Sequence, residues 1–215
     1  MRRVGFYYDD VFLAHHTPLW HPETPSRLVN LVKSIKESGI WDKIIHLKPK
    51  RASFEEIALV HTAQHIERIK NAKVGYLDPD TYFSEGSLEA ALHAVGAVTS
   101  AIDEIKAGVI ERAFCAVRPP GHHAEAHKAM GFCLFNNIAI GVRYAQRLGY
   151  HRVFIIDFDV HHGNGTQNVF YKDNTVFFFS THQYPHYPGT GSEDEIGIDE
   201  GEGFTYNIPN SCWCR

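Results

Sequence analysis

Apolar spacing divides the chain into elements. Arg3–Tyr8 is a short apolar run that predicts a strand. Residues Ala14–Arg27 are rich in His and Pro and predict a loop. Pro25 then opens a helix reaching about Glu37, with Leu28, Leu31, Val32 and Ile35 at helical spacing. Ser53-Phe-Glu-Glu56 has the pattern of a capping box and predicts a short helix, and His61–Ile69 predicts another. Gly75–Gly86 is turn-rich. Leu88–Ile105 predicts a long helix whose apolar face holds Leu88, Ala91, Leu92, Val95, Val98, Ile102 and Ile105, with Gly108 as its stop signal. Ala113–Val117 reads as a short buried strand, Arg118–Gly131 as a loop, and Asn136–Leu148 as a helix ended by Gly149. Val153–Ile156 and Thr175–Phe179 are continuous apolar strands. Such strands alternating with helices predict a mostly parallel sheet covered on both faces. The pattern has no repeat, linker or low-complexity segment, so it describes one α/β domain or part of one.

Composition narrows the function classes. A chain of 215 residues with 44% apolar and 21% charged residues can bury its own core without a disulfide or metal staple. Its 21 Lys+Arg against 25 Asp+Glu give a net charge of −4, which argues against nucleic acid as a partner. No apolar run approaches the ~20 residues a membrane helix needs. The N-terminus turns acidic at Asp9 and Asp10, unlike a secretory signal, so a cytoplasmic protein away from membranes is expected. Cys115 and Cys133 lie in apolar runs and read as small buried hydrophobes; Cys212 and Cys214 are too close in sequence to suggest a zinc finger. Histidine occurs 15 times, and that abundance directs attention to metal and proton-transfer chemistry.

Ligands of open α/β sheets bind beyond the carboxyl ends of the strands. Three polar clusters fall there: Arg118-Pro-Pro-Gly-His-His-Ala124, Asp157-Phe-Asp-Val-His-His-Gly-Asn-Gly165 and Ser180-Thr-His182. If the backbone stays extended, Asp157, Asp159 and His161 share one side and could hold a divalent ion such as Zn²⁺. Gly163 and Gly165 would permit a tight turn and leave room for a ligand. The competing interpretation is that the two aspartates cap the following turn and the histidines are satisfied core groups. His122 and His123 need an irregular loop to converge, and could then serve as base, acid or electrostatic partner, oriented by Asp157 and Asn164. A solvent-exposed turn is the alternative.

Taken together, Arg-Pro-Pro-Gly-His-His-Ala at 118–124, Gly-Phe-Cys-Leu-Phe-Asn-Asn at 131–137 and Asp-Phe-Asp-Val-His-His-Gly-Asn-Gly-Thr at 157–166 resemble the zinc-dependent histone deacetylase family, which includes bacterial deacetylase-like and acetylpolyamine amidohydrolases. His21-Pro-Glu-Thr-Pro-Ser-Arg27 and Tyr187-Pro-Gly-Thr-Gly191 resemble two further family segments, and Asn164 is similar to the class II branch. The resemblance runs from about residue 3 to Pro209. It implies a three-layer arginase–deacetylase-like fold. Asp159 and His161 match two zinc ligands, and His122 and His123 the catalytic pair, with Asp157 and Asn164 as their respective partners. Ser180 and Thr181, with Asp157, Asp159 and His161, match a structural K⁺ site, with His182 beside it. Gly131 and Phe132 match the acyl-lysine tunnel, Asp80 a rim carboxylate that grips substrate backbone, and Arg27 an arginine near an inner acetate-release cavity. The implied reaction is metal-assisted hydrolysis of acetyl-lysine, an acetylpolyamine or a small acetylated amine, with Fe²⁺ or Co²⁺ able to replace Zn²⁺.

The family pattern also requires a third ligand, an Asp in a later loop, and a Tyr that stabilises the oxyanion; neither motif is present. Residues 1–209 therefore read as the N-terminal part of one deacetylase domain and 210–215 as an atypical tail. In such a fold the last strands insert into the middle of the sheet, so unpaired inner edges and weak or absent catalysis by this chain alone are expected. Two other readings compete. One is a degenerate domain that binds acylated amines or a partner without turnover. The other is an arginase- or agmatinase-like enzyme, against which the Asp-x-Asp-x-His-His order and the tandem histidines argue.

Overall fold

The computed structural model describes residues 3–211, so Cys212, Cys214 and most of the tail lie outside the described residues. The strands are β1 (Val4–Tyr7), β2 (Ile45–Leu47), β3 (Gly75–Tyr76), β4 (Tyr82–Phe83), β5 (Arg112–Cys115), β6 (Val153–Asp157), β7 (Val176–Gln183) and β8 (Thr205–Asn210). The α-helices are α1 (Ser26–Glu37), α2 (Phe54–Ile57), α3 (Ala63–Lys70), α4 (Ser87–Lys106), α5 (Asn137–Arg147) and α6 (Asn164–Phe170).

Side-chain caps account for three of the six helix starts among the described residues. Ser53 and Glu56 form the reciprocal capping box of α2, Thr62 accepts from His65 N to start α3, and Asn136 accepts from Ala139 N to start α5. Helix α4 has its Ala- and Leu-rich face buried against several elements. Its contact with α5 is close because Gly141 stands where a Cβ would lie 2.5 Å from Val98 Cγ1. The region Gly75–Gly86, expected as plain loop, contains the β3–β4 hairpin.

The main strands form two parallel three-stranded sheets, ordered β2-β1-β5 and β6-β7-β8. In the first sheet Phe6 faces the cluster of Leu28 and Val32 from α1, and Tyr7 faces Ala97 and Ala101 from α4. In the second, Ile155, Val176 and Phe178 pack against Ala139 and Val142 of α5 and Phe170 of α6. The other face of the second sheet is open among the described residues: Phe154, Ile156, Tyr206 and Ile208 are all exposed. Cover therefore holds for one face of this sheet only, while the exposed apolar face agrees with the reading of the chain as the N-terminal part of a domain. Strand β5 is likewise not buried, since Phe114 is half exposed. Among the described residues β5 and β6 each keep one edge without a strand partner. Between them lies a cleft of about 860 Å³, bounded by Val98 and Ile102 of α4, Gly141 of α5, Cys115 and Phe154. Strand β8 was not anticipated; Pro209 is tolerated there because β8 is an edge strand.

Candidate active site

The chain leaves β6 at Asp157 and turns at once. Asp157 Oδ1 accepts from Asp159 N at 3.2 Å, and Asp159 Oδ1 accepts from His161 N at 2.8 Å. The expected extended continuation is therefore replaced by two successive side-chain-capped turns. These turns, rather than strand alternation, bring Asp159 and His161 together, with His161 Nδ1 3.1 Å from Asp159 Oδ1. Gly163 and Gly165 leave room for protein and not for a ligand. A Cβ at Gly163 would lie 2.2 Å from Asp157 Oδ2, and one at Gly165 2.3 Å from Ala124 O.

That close approach seats the N-terminus of α6 on the His122–Ala124 segment, where Thr166 N donates to His122 O. The loop is anchored behind by Arg118, a fully buried guanidinium held by the Glu23 carboxylate and by the carbonyls of Phe12 and His15. So constrained, the two histidine rings lie 4.0 Å apart and take different partners. His122 Nδ1 meets Asp157 Oδ2 at 2.9 Å, and His123 Nδ1 meets Asn164 Oδ1 at 2.8 Å.

The two histidines consequently differ in charge preference. Burial disfavours the His122 cation, but the carboxylates of Asp157 and Asp159 outweigh it and raise the pKa. Burial of Asp157 is in turn outweighed by His122, so its carboxyl stays below its usual value. For His123 burial dominates, neighbouring His122 adds to it, and the pKa falls to about 3.

Gly131 and Phe132 border the pair, both at positive φ, 58° and 69°. A Cβ at Gly131 would lie 2.3 Å from the His123 ring. Left-handed backbone at a bulky residue is strained, and here two hydrogen bonds enforce it. Gly131 N donates to Asp80 Oδ1 and Phe132 N to Thr81 Oγ1. Asp80 thus lies beside Gly131 with one oxygen already engaged; burial and the Asp78 charge raise its pKa.

Ser180 sits directly across from Asp157 in the β6–β7 register, and its buried hydroxyl bonds His182 Nδ1 at 2.9 Å. Thr181 follows on β7, paired in register with Ile208. Arg27 is placed elsewhere: its guanidinium is 61% exposed at the start of α1, 3.4 Å from Glu23. Among the described residues α1 projects this side chain outward.

The donor set fits a metal only in part. Two ligands at adjacent tetrahedral positions on Zn²⁺ lie about 3.3 Å apart, close to the Asp159–His161 spacing. No group of three His, Cys, Asp or Glu side chains converges among the described residues. Three aromatic neighbours, to which the sequence assigns no role, complete the surroundings. Tyr187 packs edge-on against both His123 and His161, His186 stacks on His161, and His21 lies 4.6 Å from the Phe132 ring. Burial, then the charges of Asp80 and Asp78, raise the Tyr187 pKa. The signal for His186 and Tyr187 is the position of 186–191 just beyond the end of β7, and for His21 the His-Pro-Glu segment that precedes α1.

Comparison with known proteins points to one family. The histone deacetylase domain family matches residues 21–212. The chain is similar to a "Probable deacetylase" of Archaeoglobus fulgidus, 40% identical over 96% of this chain and 58% of that protein. It is also similar to "Histone deacetylase 5" of Arabidopsis thaliana, 37% identical over 97% of this chain and 35% of the relative. A crystal structure of the HDA15 HD domain superposes with a TM-score of 0.94 at 36% identity, over 98% of this chain and 62% of that one. The chain therefore spans part of the length of the relatives it matches. Its α/β architecture is that of a histone deacetylase domain, and the chain belongs to the histone deacetylase family, a family of hydrolases.

Proposed function

We propose that this chain supplies the histidine relay and two of the metal-holding side chains of a zinc-dependent deacetylase acting on an acetylated lysine or related acetylated amine. The observation that carries the reading is the division of labour in the tandem pair, with His122 on a carboxylate and His123 on an amide. Asp157 favours the charged form of His122, which then supports the site electrostatically. His123 stays neutral and can accept a proton from the attacking water, passing it to the departing amine. Asp159 and His161 would hold the ion, which when bound polarises the acetyl carbonyl. Phe132 and Tyr187 form apolar walls that favour a neutral acylated chain over a free ammonium, because burying an unpaired charge is costly. Among the described residues no helix is long and apolar enough to cross a membrane.

The test is hydrolysis of acetyl-lysine peptides and acetylated polyamines, with added Zn²⁺, by the protein that carries this chain. Turnover is expected, with a loss of about 10²-fold or more in His123→Ala. Hydrolysis of guanidino compounds in place of acetylated amines would overturn the reading. The 215-residue chain alone, with two converging donors, is expected to turn over weakly or not at all. The same shortage favours one second reading, a domain that binds acylated amines without hydrolysis; stoichiometric ligand binding with no product in the longer protein would support it.

A further inference from the structure

We propose that Glu125 is a positioning residue that sets the tautomer of His123 by fixing which way round the Asn164 amide lies. An asparagine can offer either its oxygen or its NH₂ to an imidazole nitrogen, and a neutral imidazole answers either by moving its own proton. The His123–Asn164 contact at 2.8 Å therefore has two self-consistent forms. A third group must choose between them. The Asn164 Nδ2 group donates to Glu125 Oε1 at 3.1 Å. An ionised carboxylate only accepts hydrogen bonds, and charge-assisted bonds are roughly twice as strong as neutral ones. The NH₂ must then face Glu125, the oxygen must face His123, and the imidazole must carry its proton on Nδ1. Nε2 is left as the lone-pair nitrogen.

The rest of the surroundings keep Glu125 in this role. Asn168 Nδ2 donates to the same Oε1 at 3.0 Å, and the Glu125 backbone is fixed by pairing with Lys128 and by His61 Nδ1 at its carbonyl. The one competing contact of the Asn164 NH₂ is a weak one, to Met130 Sδ at 3.5 Å. Asn164 and His123 are buried, so bulk water does not arbitrate. Importance for catalysis rests on the reading of His123 as proton acceptor, but the tautomer is a property of the chain itself.

The experiment is a long-range ¹H–¹⁵N correlation spectrum of the imidazoles at fixed neutral pH, without metal or substrate. Wild type is expected to show His123 with Nδ1 protonated and Nε2 bare. In Glu125→Lys the ammonium calls for the Asn164 oxygen, so the amide turns over and the two His123 nitrogen signals exchange character. Adding Asn164→Asp to Glu125→Lys restores the wild-type pattern, because a carboxylate accepts from both neighbours. Glu125→Gln keeps an acceptor oxygen and retains the wild-type pattern. If Glu125→Lys does not fold, Glu125→Met decides: a mixture of tautomers supports the inference, and an unchanged Nδ1–H spectrum overturns it. A folded Glu125→Lys with the wild-type spectrum overturns it too. A protein that shows the exchange but hydrolyses no acetylated amine keeps the inference and loses the functional reading.

Discussion

Gly131 at φ 58°, with the His123 ring where its Cβ would stand, shows how little latitude single residues have around the histidine pair. Gly131→Ala should cost about 1–2 kcal/mol from the left-handed backbone alone and should also displace the His123 ring. Urea denaturation and the His123 ring resonances check this; unchanged stability with unchanged resonances would contradict it. A second contrast separates buried from exposed charge. Glu23→Ala leaves the Arg118 guanidinium enclosed without its carboxylate, which should cost about 3–5 kcal/mol. Arg27→Ala touches the same glutamate from a largely exposed position and should change stability by less than about 1 kcal/mol. Equal effects of the two variants in chemical denaturation would show that burial does not govern this pair.

Between elements, histidines act as ties. His61 accepts from Asn136 N at the start of α5 and bonds Glu125 O, joining two loops to a helix end. His15 bonds Ser87 at the start of α4. His162 bonds Thr190 and Gln167, linking the β6 turns to the loop after β7. Burial lowers the pKa of His61 to about 3 and of His15 to about 4, from an ordinary 6.5. Below pH 6.5 the unfolded chain takes up protons that the folded chain refuses. Stability should therefore fall as pH drops from 6.5 toward 4, by up to about 1.4 kcal/mol per pH unit for each such group. His122, with its raised pKa, works in the opposite sense and offsets part of one group. Urea midpoints at pH 7.5, 6.0 and 5.0 test the trend. His61→Gln should flatten it, and an equally steep decline in that variant would refute the assignment.

At the scale of the molecule, the two parallel sheets present facing, unpaired edges at β5 and β6 and an open apolar face around Phe154 and Ile156. Unpaired edges beside exposed apolar surface favour self-association. The double variant Phe154→Lys/Ile156→Lys should reduce oligomer formation of this chain in sedimentation velocity. Its folding stability should shift by about 0.5 kcal/mol or less per site, as for exposed positions generally. Unaltered association would show that this face is not the sticky one. The site lies at one pole, where the β6 turns, the His122–His123 loop and the 186–191 loop meet, so its geometry depends on how the α4–α5 pair spaces the two sheets.

Local interactions were legible in the amino-acid order. Helical spacing, the Ser53–Glu56 capping box and the stop glycines located α1 to α5, because each depends on neighbours a few residues away. The family motifs also marked the histidine pair and the β6 turns. Strands β2 and β8 escaped notice because each is short and defined by its pairing, not by its own pattern. The tertiary structure decided which histidine meets which partner, since His122–Asp157 and His123–Asn164 join segments 35 and 41 residues apart. It also separated site histidines from structural ones and placed Glu125 behind Asn164. Proton placement on an imidazole follows from what faces each nitrogen, and that is set by the approach of distant loops through glycines too small to keep them apart.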